Sequence, residues 1–267
     1  MSRREPKVRR IVVTLEPDSV DTRLVQNAAR LARAYDAELV GLFVKVQELL
    51  DLADLPFSRT VVSTTGTIQQ LDRGHMDSAL DQLARKARRQ LSEQAERHQV
   101  QWSFQTRTGH CEEVVAGIAT ANDLVALAPG PAGSLQHPPA ITVTHAALAR
   151  AQSVTVMYEG DASLLAVAHR FADSLSAPLT IMIAAADATE RARLQRNARA
   201  WLRRHRAEAT LQQVRHSDQN TQNILADLLT SQQPGLLVVS DGGAYGDQAR
   251  SLIRDQGKSL PLVLIGR

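Results

Sequence analysis

The chain carries one strand–helix–strand pattern twice. The first copy spans residues 9–44 and the second spans residues 153–184. In each copy an apolar strand ends on a glutamate, Glu16 or Glu159, and an amphipathic helix and a second apolar strand follow. Continuous apolar strands separated by helices are typical of parallel sheets that are buried on both faces. The sequence therefore predicts an α/β protein made of two doubly wound, Rossmann-like, parallel-sheet repeats.

The repeat pattern also predicts the domain organisation. We assign residues 1–151 to the first repeat and 152–267 to the second. No Pro/Gly-rich linker lies between them, so we expect a tight junction. The first repeat has an insertion at about 45–75, between its second strand and its second helix, and a short amphipathic helix is expected in it at 49–55. Loops of this length in compact domains are often lids or docking segments.

The two repeats are expected to differ in their fifth strand. The second repeat ends with an apolar strand at 261–265, whereas the pattern at 141–151 predicts a helix that leads directly into strand 154–158. The first repeat then has either four strands or one strand that serves both repeats. In both cases the C-terminal strand is an unpaired apolar edge, and such edges promote association. We therefore predict a homodimer in which the 261–265 strands of two chains pair antiparallel.

Composition restricts the function classes. The single cysteine, Cys111, excludes an intramolecular disulfide and a cysteine metal cluster. The apolar run at 11–15 is too short for a signal peptide or a membrane span, so we expect a cytoplasmic protein without membrane contact. The histidines show no ligand pairing, and no nucleophile lies in a Ser–His–Asp pattern. No metal site and no catalytic residue is therefore predicted.

Basic residues, mostly arginines, are concentrated on two predicted helices, at 85–89 and 191–206. An anion or nucleic-acid binder would use such surfaces. No aromatic residues suited to stacking on bases alternate with these arginines, and no nucleic-acid motif is present. We interpret both stretches as solvated helix faces and keep nucleic-acid binding as an alternative.

The order of strand, acidic residue, helix, strand and a glycine-containing loop after the fourth strand resembles the universal stress protein (UspA-like) family in its tandem form. The resemblance covers most of the chain apart from 45–75. It implies a fold of the adenine nucleotide alpha hydrolase type with strand order 3-2-1-4-5 in each repeat. It also implies a nucleotide site made of four parts. These are an acidic residue after strand one, a backbone contact at the end of strand two, a Gly-x-x-Gly turn after strand four, and a Gly-Ser or Gly-Thr pair further on.

The cofactor-binding residues that this resemblance implies form an incomplete set in each repeat. They are Glu16, Val44, Gly130, Gly133 and Thr142 in the first repeat, and Glu159, Ser240, Gly242 and Gly243 in the second. Glutamate stands where the family usually has aspartate, and two prolines in the first turn remove amide donors. Asp241 and Asp247 place negative charge where phosphates would lie in the second repeat. No cofactor is predicted, and ATP or AMP is the expected ligand, in the first repeat, if a nucleotide binds.

The leading interpretation of function is a non-enzymatic universal-stress-type protein that acts through protein contacts in a cytoplasmic stress response. Its expected partners are proteins, including a second copy of the chain. The first alternative is an adenine-nucleotide-binding universal stress protein that hydrolyses ATP slowly. The second is an anion or nucleic-acid binder that uses the arginine-rich helices.

Overall fold

The computed structural model describes residues 6–15, 17, 21–55, 59–61, 68–70, 73–127, 139–149, 151–185, 187–213, 225, 228, 235–256 and 261–266. The strands are β1 (Arg10–Leu15), β2 (Glu38–Val46), β3 (Arg59–Val61), β4 (Ile68–Gln70), β5 (Trp102–Gly109), β6 (Asp123–Leu127), β7 (Ile141–Thr144), β8 (Val154–Tyr158), β9 (Leu179–Ile183), β10 (Thr210–Gln213), β11 (Leu236–Ser240) and β12 (Leu262–Ile265). The helices are α1 (Thr22–Tyr35), α2 (Gln47–Ala53), α3 (Arg73–Arg97), α4 (Cys111–Ala116), α5 (His145–Ala149), α6 (Ala162–Leu175), α7 (Ala188–His205) and α8 (Gly246–Gln256).

Ten strands form one continuous sheet in the order β10-β9-β8-β11-β12-β7-β6-β1-β2-β5. Every neighbouring pair is parallel except β12 and β7, which pair antiparallel. Counted within each half of the sheet, the strand order is 3-2-1-4-5. The predicted fold class and strand order are therefore confirmed. The remaining two strands, β3 and β4, form a separate antiparallel hairpin in the 45–75 insertion, where the expected helix is also found as α2.

The first half has a fifth strand of its own, so the predicted helix at 141–151 and the predicted lack of this strand are wrong. β7 has the sequence Ile-Thr-Val-Thr, and β-branched residues favour extended backbone. The helix begins only at His145, where the Thr144 hydroxyl oxygen accepts the amide N–H of Ala147 at 3.3 Å. A four-residue strand is too short to produce the alternation that marks longer strands.

The C-terminal strand is interior, so the prediction that residues 261–265 form an unpaired sheet edge is wrong. β12 lies between β11 and β7. Two further bonds hold it: Leu262 donates its N–H to the Thr144 hydroxyl at 3.1 Å, and Gly266 donates to the carbonyl of Ala140 at 2.9 Å. A second chain cannot pair with a strand that has partners on both sides. The dimer contact predicted for this strand is therefore excluded, and self-association by another surface stays a prediction.

The helices cover the sheet unequally on its two faces. On one face α1, α3, α5, α6 and α7 share a single apolar core that runs through both halves. On the other face each half has a core of its own, against α4 in the first half and α8 in the second. Within the described part of the chain, no helix combines the length and apolar character that crossing a membrane requires.

The central helices α1 and α6 repeat the same local design. Each begins after an aspartate, Asp21 or Asp161, whose side chain accepts the amide N–H two residues later. Each ends at a residue with left-handed backbone, Asp36 or Ser176, whose N–H bonds back to the last turn. The two helices pack against each other. The contact between the halves is therefore built from the sheet junction and this helix pair.

Because one core and one sheet join the halves, we expect them to unfold together. Each half has one tryptophan, Trp102 on β5 and Trp201 on α7, so Trp102→Phe and Trp201→Phe give one fluorescent reporter per half. Val263→Ala in β12 should lower the free energy of unfolding by about 2–3 kcal/mol, because Val263 is fully buried at the junction. Urea unfolding should show the same midpoint for both reporters, with and without this substitution. A shift confined to the Trp201 signal would show that the halves unfold separately.

Candidate functional site

Glu159 lies directly after β8, at a position where open α/β sheets bind ligands. β8 is the first strand of the second half, and its neighbours are β9 on one side and β11 on the other. The chain order reverses between β8 and β11, and crevices at such switch points are the usual ligand sites of doubly wound sheets. The structure therefore places the glutamate at the carboxyl end of the strand, as the sequence pattern predicted.

The turn that follows β11 folds back over Glu159. Its backbone is held by bonds from the N–H of Asp241 to the carbonyl of Ile265 at 2.8 Å and from the N–H of Gly243 to the carbonyl of Ser240 at 3.2 Å. We call Glu159 together with the turn 240–246 the Glu159 crevice. The predicted site residues of the second repeat, Glu159, Ser240, Gly242 and Gly243, all belong to it.

The carboxylate of Glu159 accepts a hydrogen bond from the backbone of this turn. The N–H of Ala244 donates to Glu159 Oε1 at 3.0 Å. A side chain at Gly243 would overlap Glu159 Oε2, so the close approach depends on glycine at this position. In a phosphate-binding loop, backbone N–H groups of this kind would point at phosphate oxygens. Here the Glu159 carboxylate takes the place of a phosphate oxygen.

Burial disfavours additional negative charge in the crevice. It raises the pKa of Glu159, and the hydrogen bond from Ala244 acts in the opposite direction without cancelling the effect. Burial also raises the pKa of Tyr158, and it raises the pKa of Tyr245 together with the nearby charge of Glu159. The Glu159 side chain is thus partly desolvated, and the crevice already contains one carboxylate. A phosphate group would meet repulsion from that charge.

The two aspartates that the sequence suggested as phosphate-repelling groups share one cationic partner. Arg250 on α8 forms ion pairs with both Asp241 and Asp247. The sequence did not indicate this pairing. Arg250 offsets one of the two negative charges, and its pair with Asp241 attaches the turn to α8. The carboxylate that contacts the turn backbone is that of Glu159.

The predicted residues of the first repeat are not brought together among the described residues. Glu16, Gly130 and Gly133 lie outside the part of the chain that the structure describes. Val44 is fully buried in β2, and Thr142 lies inside β7, paired with strands on both sides. Thr142 therefore lies within the sheet, two residues before the end of β7.

A polar cluster that sequence reasoning missed lies at the carboxyl ends of β1, β6 and β7. The buried Thr14 hydroxyl donates to the carbonyl of Ala126 at 2.9 Å, and the Nε2 atom of His145 lies 3.3 Å from the Thr14 hydroxyl oxygen. Since the Thr14 proton is directed to Ala126, Nε2 of His145 is the donor in the second contact. The only sequence signal was a histidine that follows the β-branched run of β7. They lie near the carboxyl end of β1, the strand that corresponds to β8 in the second half.

Lys45, at the end of β2, forms ion pairs with two carboxylates of α3. Its ammonium group lies 2.7 Å from a carboxylate oxygen of Asp77 and 2.7 Å from one of Asp81, both on α3. Burial acts to lower the pKa of Lys45, but the two carboxylates outweigh it and the pKa is raised. The two carboxylates of α3 therefore keep Lys45 in its charged form.

Two exposed ion pairs fix helix α2 of the insertion. Arg73 at the start of α3 lies 2.6 Å from Asp54, and His110 before α4 lies 2.7 Å from Glu48. The contact with Glu48 raises the pKa of His110. The insertion is therefore attached to both neighbouring helices by charged side chains.

These features define a doubly wound α/β protein in which the acid after the first strand of the second half contacts the turn after β11. Comparison with family models and with curated protein sequences finds no match. A universal stress protein from Archaeoglobus fulgidus DSM 4304 has a similar structure, with a TM-score of 0.59 and 12% identity over 97% of this chain and 98% of that chain. A putative universal stress protein from Pseudomonas aeruginosa UCBPP-PA14 matches with a TM-score of 0.51 and 12% identity over 97% and 93% of the two chains. The chain thus has the universal stress protein fold.

Replacing Glu159 by glutamine should change how stability depends on pH. Because the native pKa of Glu159 is raised above 4.5, the native protein binds this proton more tightly than the unfolded chain does. The wild type therefore gains stability as the pH falls towards 4.5 and loses it as the pH rises through the native pKa. We expect Glu159→Gln to be the more stable protein near pH 7, with a difference that disappears near pH 4.5.

Urea unfolding at a series of pH values measures this difference. Glu93→Gln, on the exposed surface of α3, is the matched control for removing one carboxylate. A Glu159→Gln protein whose stability follows that of the wild type at every pH would contradict the expectation.

Two glycines of the turn should respond differently to alanine. At Gly246 the new Cβ would overlap the backbone carbonyl of Asp241, whereas at Gly243 it would meet the flexible end of the Glu159 side chain. We expect Gly246→Ala to cost about 1–3 kcal/mol of stability and Gly243→Ala to cost less, because the carboxylate can rotate away. Chemical denaturation compares the two, and an equal or larger loss in Gly243→Ala would contradict this placement of Glu159.

Proposed function

We propose that this chain is a non-enzymatic universal-stress-type protein that acts through protein contacts and does not bind nucleotide in its second repeat. The observation that carries the proposal is the occupation of the Glu159 crevice by its own carboxylate. The universal stress protein fold supports the stress-type assignment, and the closed crevice supports a role that needs no nucleotide there.

Electrostatics oppose a phosphate in the crevice. Two like charges at 4 Å repel by about 1 kcal/mol in water and by about 4 kcal/mol at an effective dielectric constant of 20. A bound phosphate would also have to displace Glu159 Oε1 from the N–H of Ala244. Both effects lower nucleotide affinity at this position.

Protein contacts are supported by the surface of the insertion. Leu52 and Leu55 are each 52% exposed, and among the described residues they are the large hydrophobic side chains that are exposed. Both lie on or just after α2, which ion pairs attach to the neighbouring helices. Apolar side chains held on a fixed element in this way are typical of contact surfaces.

The arginine-rich helices favour a second candidate, an anion or nucleic-acid binder. The basic residues at 85–89 on α3 are exposed, as are Arg193, Arg196, Arg199 and Arg203 on α7. Both helices lie on the same face of the sheet, over the core that the two halves share. Binding through such faces would weaken steeply as salt is raised.

Titration calorimetry with ATP, AMP and a cyclic nucleotide tests the main proposal. We expect no binding at nucleotide concentrations up to about 1 mM, which corresponds to less than about 4 kcal/mol of affinity, and no nucleotide carried through purification. Gly243→Asp serves as the matched variant for the second repeat. ATP binding that this variant abolishes would overturn the proposal, whereas ATP binding that it leaves intact would favour the first repeat as a nucleotide site.

A gel-shift titration with nucleic acid at two salt concentrations tests the second candidate. Complexes that weaken steeply with salt, and that weaken further in Arg196→Gln with Arg199→Gln, would support it. Absence of a shift at low salt would exclude it.

A further inference from the structure

Three polar side chains form a stripe along the carboxyl-terminal part of α3. Gln90, Gln94 and His98 follow one another at intervals of four residues, so they lie in consecutive turns on one side of the helix. His98 follows the last residue of α3, but its N–H still donates to the carbonyl of Gln94 at 3.1 Å and continues the helical register. The stripe includes no residue of the Glu159 crevice or of the insertion.

Each of these side chains has a buried polar atom that finds no hydrogen-bond partner among the described residues. The atoms are Oε1 of Gln90, Oε1 of Gln94 and Nε2 of His98. Gln94 is only 9% exposed, and the other two side chains are half-buried. Buried polar groups cost free energy unless they are hydrogen-bonded, and in native proteins nearly all of them have a partner. Three such groups in adjacent turns point to a ligand that supplies the bonds.

Positive charge surrounds this stripe. Burial lowers the pKa of His98, and the charges of Arg30 and Arg97 lower it further. Arg30 belongs to α1, which packs against α3. Its side chain is half-buried and forms no ion pair with any residue that the structure describes. Both charged groups that act on His98 are thus cations, so the electrostatic potential favours an anionic ligand over a cationic one.

The side chains of the stripe can donate hydrogen bonds to an anion. An amide group has an oxygen on one side and an NH₂ group on the other, and no hydrogen bond to a described residue fixes the orientation of either glutamine amide. Rotation about the last side-chain bond therefore brings Nε2 of Gln90 and Gln94 to the buried position. Neutral His98 can donate through Nε2, and Arg30 adds a planar guanidinium with parallel donors. Donors from two helices suit an anion with several oxygens better than a halide.

We propose that Arg30, Gln90, Gln94 and His98 form a binding site for a tetrahedral oxyanion of the phosphate or sulfate class. The guanidinium of Arg30 pairs with two oxygens of the anion, and the side chains of α3 donate to the others. The site is independent of the function proposed above, because it uses neither the Glu159 crevice nor the insertion.

Calorimetry with the full-length protein tests the site, with inorganic phosphate and sulfate as separate probes and chloride at matched ionic strength as the reference. Both oxyanions should bind, and Arg30→Gln should weaken binding about 10-fold, as expected for the loss of a hydrogen bond to a charged group. Arg89→Gln removes an equal charge from the exposed side of α3 and is the matched control. It should bind as the wild type does.

Gln94→Leu separates a binding role from a structural one. It should weaken oxyanion binding about 10-fold. In urea without the oxyanion it should be at least as stable as the wild type, because an apolar side chain replaces a buried polar group that has no partner. Gln82→Leu, on the exposed side of α3, is the control and should leave binding unchanged. A Gln94→Leu protein that loses stability but keeps its affinity would contradict the proposal.

The imidazole resonances of His98 give a readout in the wild-type protein, and His98→Gln assigns them. Saturating sulfate should raise the pKa of His98, because a bound anion offsets the charges of Arg30 and Arg97. The proposal is overturned if this pKa does not rise, or if neither oxyanion binds at about 10 mM. It is also overturned if Arg89→Gln weakens binding as much as Arg30→Gln. Repeating the ATP titration with Arg30→Gln separates this site from the Glu159 crevice, so the two proposals can fail separately.

Discussion

The antiparallel pairing of β7 with β12 is the interaction on which the rest of the structure depends. It converts two five-stranded parallel sheets into one sheet of ten strands. Because the sheet is continuous, the helices on one face share a single core, and α1 packs against α6 across the junction. In this arrangement Arg170 on α6 reaches the end of α1, where its Nη1 atom donates to the carbonyl of Ala34. A strand of only four residues therefore links the halves mechanically and creates the surfaces they share.

The Glu159 crevice shows how a ligand site can be closed by a side chain of the protein itself. The strand order brings the carboxyl end of β8 under the turn that follows β11, and the glycine at 243 lets the carboxylate approach the backbone. The acid then satisfies a turn N–H that would otherwise be available to a phosphate. Its raised pKa indicates that this contact is made against the cost of burying a charge. The crevice is thus retained as a structural feature while its chemistry differs from that of a phosphate-binding loop.

Sequence reasoning was most successful where a pattern extended over many residues. Strand 154–158 was predicted at its observed bounds, because a continuous apolar run carries a strong signal. The grouping of Glu159 with Ser240, Gly242 and Gly243 came from the family resemblance, and in the structure Glu159 accepts the N–H of Ala244 in the same turn. The prediction failed at β7, because four residues next to an alanine-rich stretch carry too little periodicity to distinguish a strand from a helix. The error at β7 then made β12 seem to be a free edge.

By itself, the sequence determined the fold class and the acid that follows β8, because both depend on apolar periodicity and on local turn residues. The repeated strand order was implied by the family resemblance. Only the tertiary structure decided which partner each strand and each charge would have. The pairing of β12 with β7, of Arg250 with two aspartates, of Lys45 with α3 and of Arg170 with Tyr35 joins residues that are distant in sequence or whose side chains could have faced several neighbours. The energy of such contacts depends on distance and burial, and the folded chain alone establishes these two quantities.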